Sequence, residues 1–126
     1  MAEITYFAHS MRIYNTEEEE QLLARIQKKF GGEVLNPNCP EVSKARDPMD
    51  ACYLMITASQ RLVFSEHQGH LGRGVYSEIL FARKRQMPIY LVTRWRVKRY
   101  NGYFEIVDPS DWKIRYARRL RRGGRK

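Results

Sequence analysis

Gly72-Arg73-Gly74-Val75-Tyr76-Ser77-Glu78 lies between an apolar run, Leu62-Val63-Phe64, and a helical pattern over Ile79 to Arg85. Glycines at such a junction let a backbone approach a ligand closely. The spacing predicts Glu78 in the first turn of the helix, where the dipole favours an ionised carboxylate. A held, charged carboxylate beside an open turn is a nucleophile candidate. Three other groups belong with it. Tyr6, in the first apolar run, can hold the carboxylate by a hydrogen bond. Ser10 and Arg12, with His9, follow that run, and a hydroxyl and an arginine suit a phosphate group. Asp47 and Asp50 open a later helical segment, on a third loop that meets the same ends of the strands.

The elements that position these residues are legible in outline. Ile4-Thr5-Tyr6-Phe7-Ala8 is rich in β-formers and reads as a strand. Thr16 and Glu19 have the spacing of a capping box, and Leu22, Leu23, Ile26 and Phe30 recur at helical spacing before Gly31-Gly32. Glu17 to Glu20 are therefore helix-start acids, not a metal site. Glu33-Val34-Leu35 is a second strand, Asn36 to Arg46 a loop, and Asp47-Pro48 an N-cap followed by proline for a helix over Met49 to Ser59. Arg61 to Ser65 and Ile89 to Val92 are further strands. Strands alternating with helices imply a mainly parallel sheet. In such a sheet, ligands bind beyond the carboxyl ends of the strands, where the loops after Ala8, before Met49 and after Ser65 meet. The expected fold class is α/β, a flavodoxin-like or Rossmann-like three-layer sandwich. Asn101-Gly102 between β-rich runs predicts a hairpin over 94–107. Trp112, Tyr116 and Leu120 then follow at helical spacing.

The chain has 126 residues, enough for one core. Residues 1–112 read as a single α/β domain and 113–126 as a basic helix end and tail. Of the net charge of +9, that tail supplies eight with Lys113, Arg115, Arg118, Arg119, Arg121, Arg122, Arg125 and Lys126, which leaves +1 for the rest. A basic tail attracts polyanions, so nucleic acid through 113–126 is one partner to weigh against a merely solvated end. Trp95, Tyr100, Tyr103 and Phe104 interleave with Arg94, Arg96, Lys98 and Arg99, a mixture that suits base stacking or a dimer interface. No run is long enough to span a bilayer and no signal-peptide pattern is present, so a cytoplasmic protein is expected. Cys39 and Cys52 lack metal-type spacing and read as free thiols. His67 and His70 lie three apart without a clear third ligand, so neither a metal nor a cofactor is expected.

Two segments resemble a known family. Tyr6-Phe7-Ala8-His9-Ser10-Met11-Arg12 is similar to the first-strand signature of the nucleoside 2-deoxyribosyltransferase superfamily, nearest its deoxynucleoside 5′-monophosphate N-glycosidase branch. Gly74-Val75-Tyr76-Ser77-Glu78-Ile79, with Ala82, resembles that superfamily's glycine-x-x-x-glutamate helix start. The resemblance covers roughly residues 3–92. It implies a small flavodoxin-type sandwich, a homodimer or larger, and a glutamate that attacks the anomeric carbon and expels the base, the retaining logic of glycoside chemistry. By position, Glu78 is the nucleophile and Tyr6 its orienter, Ser10 and Arg12 bind a 5′-phosphate, and Gly74 turns its N–H to the substrate. His9 stands where the family usually has a small residue, and here narrows the sugar pocket or adds a phosphate contact. Gly72 and Arg73 complete the substrate-binding set. Where the family supplies an aspartate from its second helix, this chain has Cys52, Tyr53 and Leu54, with Asp50 the nearest carboxylate. The alternative is a non-catalytic nucleotide- or nucleic-acid-binding protein on the same fold.

Overall fold

A computed structural model describes residues 3–101 together with the backbone of strands 103–108 and 113–117. In chain order the elements are β1 (Ile4–Ala8), a 3-10 turn (Met11–Ile13), α1 (Glu17–Phe30), β2 (Glu33–Leu35), α2 (Pro40–Ser43), α3 (Pro48–Thr57), β3 (Arg61–Phe64), α4 (Arg73–Lys84), β4 (Ile89–Val92), β5 (Val97–Arg99), β6 (Tyr103–Asp108) and β7 (Lys113–Ala117). Five strands form one sheet in the order β2-β1-β3-β4-β5. The first four are parallel, and β5 runs antiparallel at the edge beside β4. The architecture is α/β and compatible with a Rossmann-like sandwich. Among the described residues no helix is long and apolar enough to cross a membrane.

The two-residue period of β1 assigns each side chain to a layer. Tyr6 and Ala8 join Leu62 and Phe64 in a cluster completed by Cys52 and Ile56 of α3 and Val75, Ile79 and Ala82 of α4. Phe7 faces the other way, with Val63, Val92 and α1 residues Leu22 and Ile26. Register keeps the layers in step, with Tyr6 opposite Leu62 and Ala8 opposite Phe64. Each large side chain removed from water here contributes about 1.5–3 kcal/mol.

The helix starts follow local chemistry. Thr16 Oγ1 accepts the Glu19 N–H at 3.2 Å. Asp47 Oδ1 accepts the Met49 and Asp50 N–H groups at 3.1 and 3.3 Å, with Pro48 as the first helical residue. The segment expected to be loop over 36–46 contains one short helix, α2, pinned by buried Val42.

Three expectations are corrected. Helix α4 begins at Arg73, not near Ile79, so Gly74 is already helical and Glu78 lies in the second turn. The hairpin expected over 94–107 does not form. Val97–Arg99 folds back on β4, drawn by Tyr100, whose N–H donates to the Ile89 carbonyl at 2.9 Å. The Tyr100 ring is buried edge-on to Phe64, 5.6 Å between centroids. Tyr103–Asp108 instead pairs with Lys113–Ala117, where a helix was expected. In Lys113-Ile114-Arg115-Tyr116-Ala117 the polar and apolar residues alternate, so a two-residue period fits as well as a helical one. Residues 118–126, the remainder of the basic tail, and Trp112 lie outside the described residues.

Gly32 has φ +66°, and a methyl there would overlap the backbone oxygen of Glu3. That oxygen accepts the Glu33 N–H at 2.9 Å where β2 joins β1. Gly32→Ala is therefore expected to destabilise the fold by about 1–3 kcal/mol, read as a lower urea midpoint at unchanged slope.

Candidate active site

Strand β1 and helix α4 bring Tyr6 and Glu78 together from 72 positions apart. The Tyr6 hydroxyl donates to Glu78 Oε2 at 2.8 Å. Tyr6 is 0 % and Glu78 5 % exposed, so the bond lies inside the apolar layer. Burial and the neighbouring Glu78 charge hold the Tyr6 phenol far above its usual range, which keeps it the donor.

Glu78 does not have the depressed pKa that a first-turn carboxylate would have. The dipole effect fades beyond the first turn, and removal from water dominates. Burial pushes its carboxyl up to about 7, against opposing hydrogen bonds from Tyr6 and Cys52. The Cys52 thiol, on α3, is within hydrogen-bonding reach of both partners, and burial lifts it to about 11. Tyr53, the next residue on α3, stacks on Phe81 at 4.5 Å and lies near Ser77, beside Glu78. Tyr14 belongs to the same neighbourhood, its phenol raised first by burial and then by the Glu78 charge. The sequence carries no signal that marks Tyr14 for this site, and it marks Cys52 and Tyr53 only as departures from the family pattern. Its one available signal was that Cys52 and Tyr53 occupy the place where the resemblance implies an aspartate.

The other candidate residues are placed as follows. Asp50 is exposed in the first turn of α3, and its charge is felt at Tyr53. Ser10 caps the 3-10 turn, its Oγ accepting the Arg12 N–H at 3.1 Å, and Arg12 is exposed. Both stand just beyond the carboxyl end of β1. Gly72 is the N-cap of α4, Arg73 its first residue, and all of Gly72, Arg73 and Gly74 are exposed. A Cβ at Gly72 or Gly74 would meet nothing within 4 Å, so the space above this helix start is open. The positive φ of this loop falls on Gln68 and Gly69, the two-residue turn joining His67 to His70.

His9 is placed differently from the expectation. It continues the Phe7 side of β1, away from Glu78, and its ring stacks on Phe7 at 3.9 Å. Nδ1 bonds to the Phe7 carbonyl at 3.0 Å and Nε2 to Glu19 Oε2 at 2.8 Å. Both ring nitrogens are thus occupied by the protein, which removes His9 from the substrate-binding set. Burial works against the imidazolium and lowers the His9 pKa. The carbonyl can only accept, however, so Nδ1 carries hydrogen and the 2.8 Å contact requires one further proton between Nε2 and Glu19. Burial raises the Glu19 carboxyl, but donors from His9, Asn15, Asn38 and Asn36 outweigh it and the net direction is down.

A carboxyl whose pKa rises on folding binds its proton more tightly in the native state. It therefore costs stability as pH climbs from its unfolded value towards about 7. Replacing it by Gln should remove that term. Between pH 5 and pH 8 the unfolding free energy of Glu78→Gln is expected to fall less than that of the wild type, by up to about 3 kcal/mol, in urea titrations at the two pH values. No protein-family model, curated protein or solved structure matches this chain.

Proposed function

We propose that the chain is a nucleoside 2-deoxyribosyltransferase-like protein. It cleaves or transfers the N-glycosidic bond of (deoxy)nucleosides or their 5′-monophosphates, with Glu78 as nucleophile. The observation that carries this reading is the buried 2.8 Å hydrogen bond between Tyr6 and Glu78. It joins the two residues that the resemblance pairs. The strand order supports it as well. The crossover between β1 and β3 opens the crevice of a flavodoxin-type sheet where Ser10, Arg12 and the start of α4 stand.

In the first half-reaction an ionised Glu78 oxygen bonds to the anomeric carbon while the bond from that carbon to the base nitrogen breaks. The electron pair leaves with the base, which takes a proton from solvent water, and that proton is returned when water or a second base attacks the glycosyl ester. Water or a second base then breaks the glycosyl ester and returns the carboxylate. Tyr6 steadies one carboxylate oxygen. A carboxyl raised to about 7 is a stronger nucleophile than an ordinary one, and about half of it is ionised at neutral pH. Asp50, at the opening of α3, meets the leaving base. Ser10, Arg12 and Arg73 meet a 5′-phosphate, with the open N-terminus of α4 aimed at it. A homodimer or larger homo-oligomer belongs to the same reading, for which exposed Leu54 and Leu80, on the adjacent helices α3 and α4, supply apolar surface.

Purified protein incubated with a panel of deoxynucleosides and monophosphates should release free base. Glu78→Ala should lower that rate about a thousandfold or more, and equal background rates would sink the catalytic claim. The wild-type kcat/KM should rise with pH through about 7 as Glu78 ionises. Because the Tyr6 bond lowers the Glu78 pKa, Tyr6→Phe should move that limb to higher pH.

Gly74→Ala separates packing from ligand approach. The methyl meets open space, and alanine favours the helix, so stability should rise by up to about 1 kcal/mol. Activity should fall nonetheless, because the methyl stands where the substrate approaches. Thermal melts and base-release assays on the same sample check both.

A further inference from the structure

On the opposite face of the sheet from Glu78, α1 and the turn between β4 and β5 enclose a groove of about 300 Å³. It is lined by Gln21, Leu22, Ala24, Arg25, Lys28 and Arg94, with no carboxylate among them. The acids of α1 are confined to Glu17–Glu20, while Arg25, Lys28 and Lys29 occupy its second half. Between Pro88 and Asn101 the chain has Arg94, Arg96, Lys98 and Arg99 and no acid. Among the described residues no carboxylate forms an ion pair with Arg25, Lys28 or Arg94.

At the rim stands Trp95, 74 % exposed. Its exposure is held in place by the fold. Thr93 Oγ1 accepts the N–H groups of Trp95 and Arg96 at 3.1 and 3.2 Å, and the Thr93 N–H donates to the Arg96 carbonyl at 2.9 Å. Arg25 Nη1 donates to the Trp95 carbonyl at 3.2 Å, tying the turn to α1. The Arg94 guanidinium lies over the indole, 4.8 Å from its centroid. An indole stacked on one cation, fixed beside a groove with two more, pairs an aromatic platform with a cationic track. That is the combination single-stranded nucleic acids use, phosphates along the charges and an unpaired base on the ring.

We propose that this groove binds single-stranded nucleic acid, with Arg25, Lys28 and Arg94 on the phosphates and Trp95 stacked on a base. The proposal does not rest on the Glu78 chemistry. A duplex offers no unpaired base face, so the preference is for single strands.

The test uses the full-length protein and a fluorescently labelled oligothymidylate of about twelve nucleotides, followed by anisotropy at several salt concentrations. The wild type should bind the single strand more tightly than a duplex of equal length. Trp95→Ala, at a site 74 % exposed and therefore removable without loss of the fold, should weaken binding about tenfold. The triple substitution Arg25→Ala/Lys28→Ala/Arg94→Ala should reduce the slope of log affinity against log salt by about 2, the tail being intact. Circular dichroism confirms that both variants are folded. No binding at low salt, equal affinity for duplex and single strand, wild-type affinity in Trp95→Ala, or an unchanged slope in the triple variant would each overturn the proposal.

Discussion

A carboxyl group inside an apolar layer must be given a donor or a proton, and this chain gives Glu78 both. The Tyr6 hydroxyl donates to it at 2.8 Å, and burial lifts its pKa to about 7. Much of the surrounding architecture serves that contact. Tyr6 reaches α4 only because β1 alternates its side chains strictly, and β1 lies mid-sheet only because β2 and β3 both pair with it. Helix α3 packs alongside and adds the Cys52 thiol to the pair. Without the phenol, the carboxyl would keep only the weaker thiol donor of Cys52, and loss of the stronger bond costs about 1–3 kcal/mol.

The sheet thereby separates two polar networks. On the α4 side, an acid, a phenol and a thiol form a cluster whose protonation changes near neutrality. On the α1 side, His9 and Glu19 form a pair that gathers Asn15, Asn36 and Asn38 around the carboxylate. Those asparagines come from the segment after the 3-10 turn and the segment after β2, so the second network ties both loops to β1. It steadies the ground on which Ser10 and Arg12 stand. A histidine with both nitrogens engaged is a building element, and the reactive groups lie elsewhere.

The α1 face also carries a local cluster of cations. Arg25, Lys28 and Arg94 gather on the α1 face around a tryptophan kept outside by its own turn. The Arg25 bond to the Trp95 carbonyl makes this surface continuous across two elements distant in the chain. The Glu78 cluster and the basic groove thus lie on opposite faces of one sheet, and the two proposals drawn from them concern separate surfaces.

Most of this organisation was legible as periodicity. The strands at 4–8, 33–35, 61–64 and 89–92, the Thr16 and Asp47 caps and the α/β class follow from side-chain alternation and capping chemistry, which are local. The candidate pair was legible too, since a tyrosine in the first strand and a glutamate after a glycine-rich junction belong to short motifs. What failed was non-local. The start of α4 moved to Arg73, and with it the charge state of Glu78 passed from the dipole's control to that of burial. His9 was lost as a ligand group because its facing helix supplies Glu19, a partner no spacing announces. The partner of β5 was decided by the open edge of β4 and by the burial of Tyr100, against the Asn101-Gly102 turn signal. The chain by itself therefore determined the main strands and helices and set Tyr6 and Glu78 on two of them. Only the packed structure decided which face each one turns to and how far from water it lies, because burial and cross-element hydrogen bonds depend on neighbours distant in sequence.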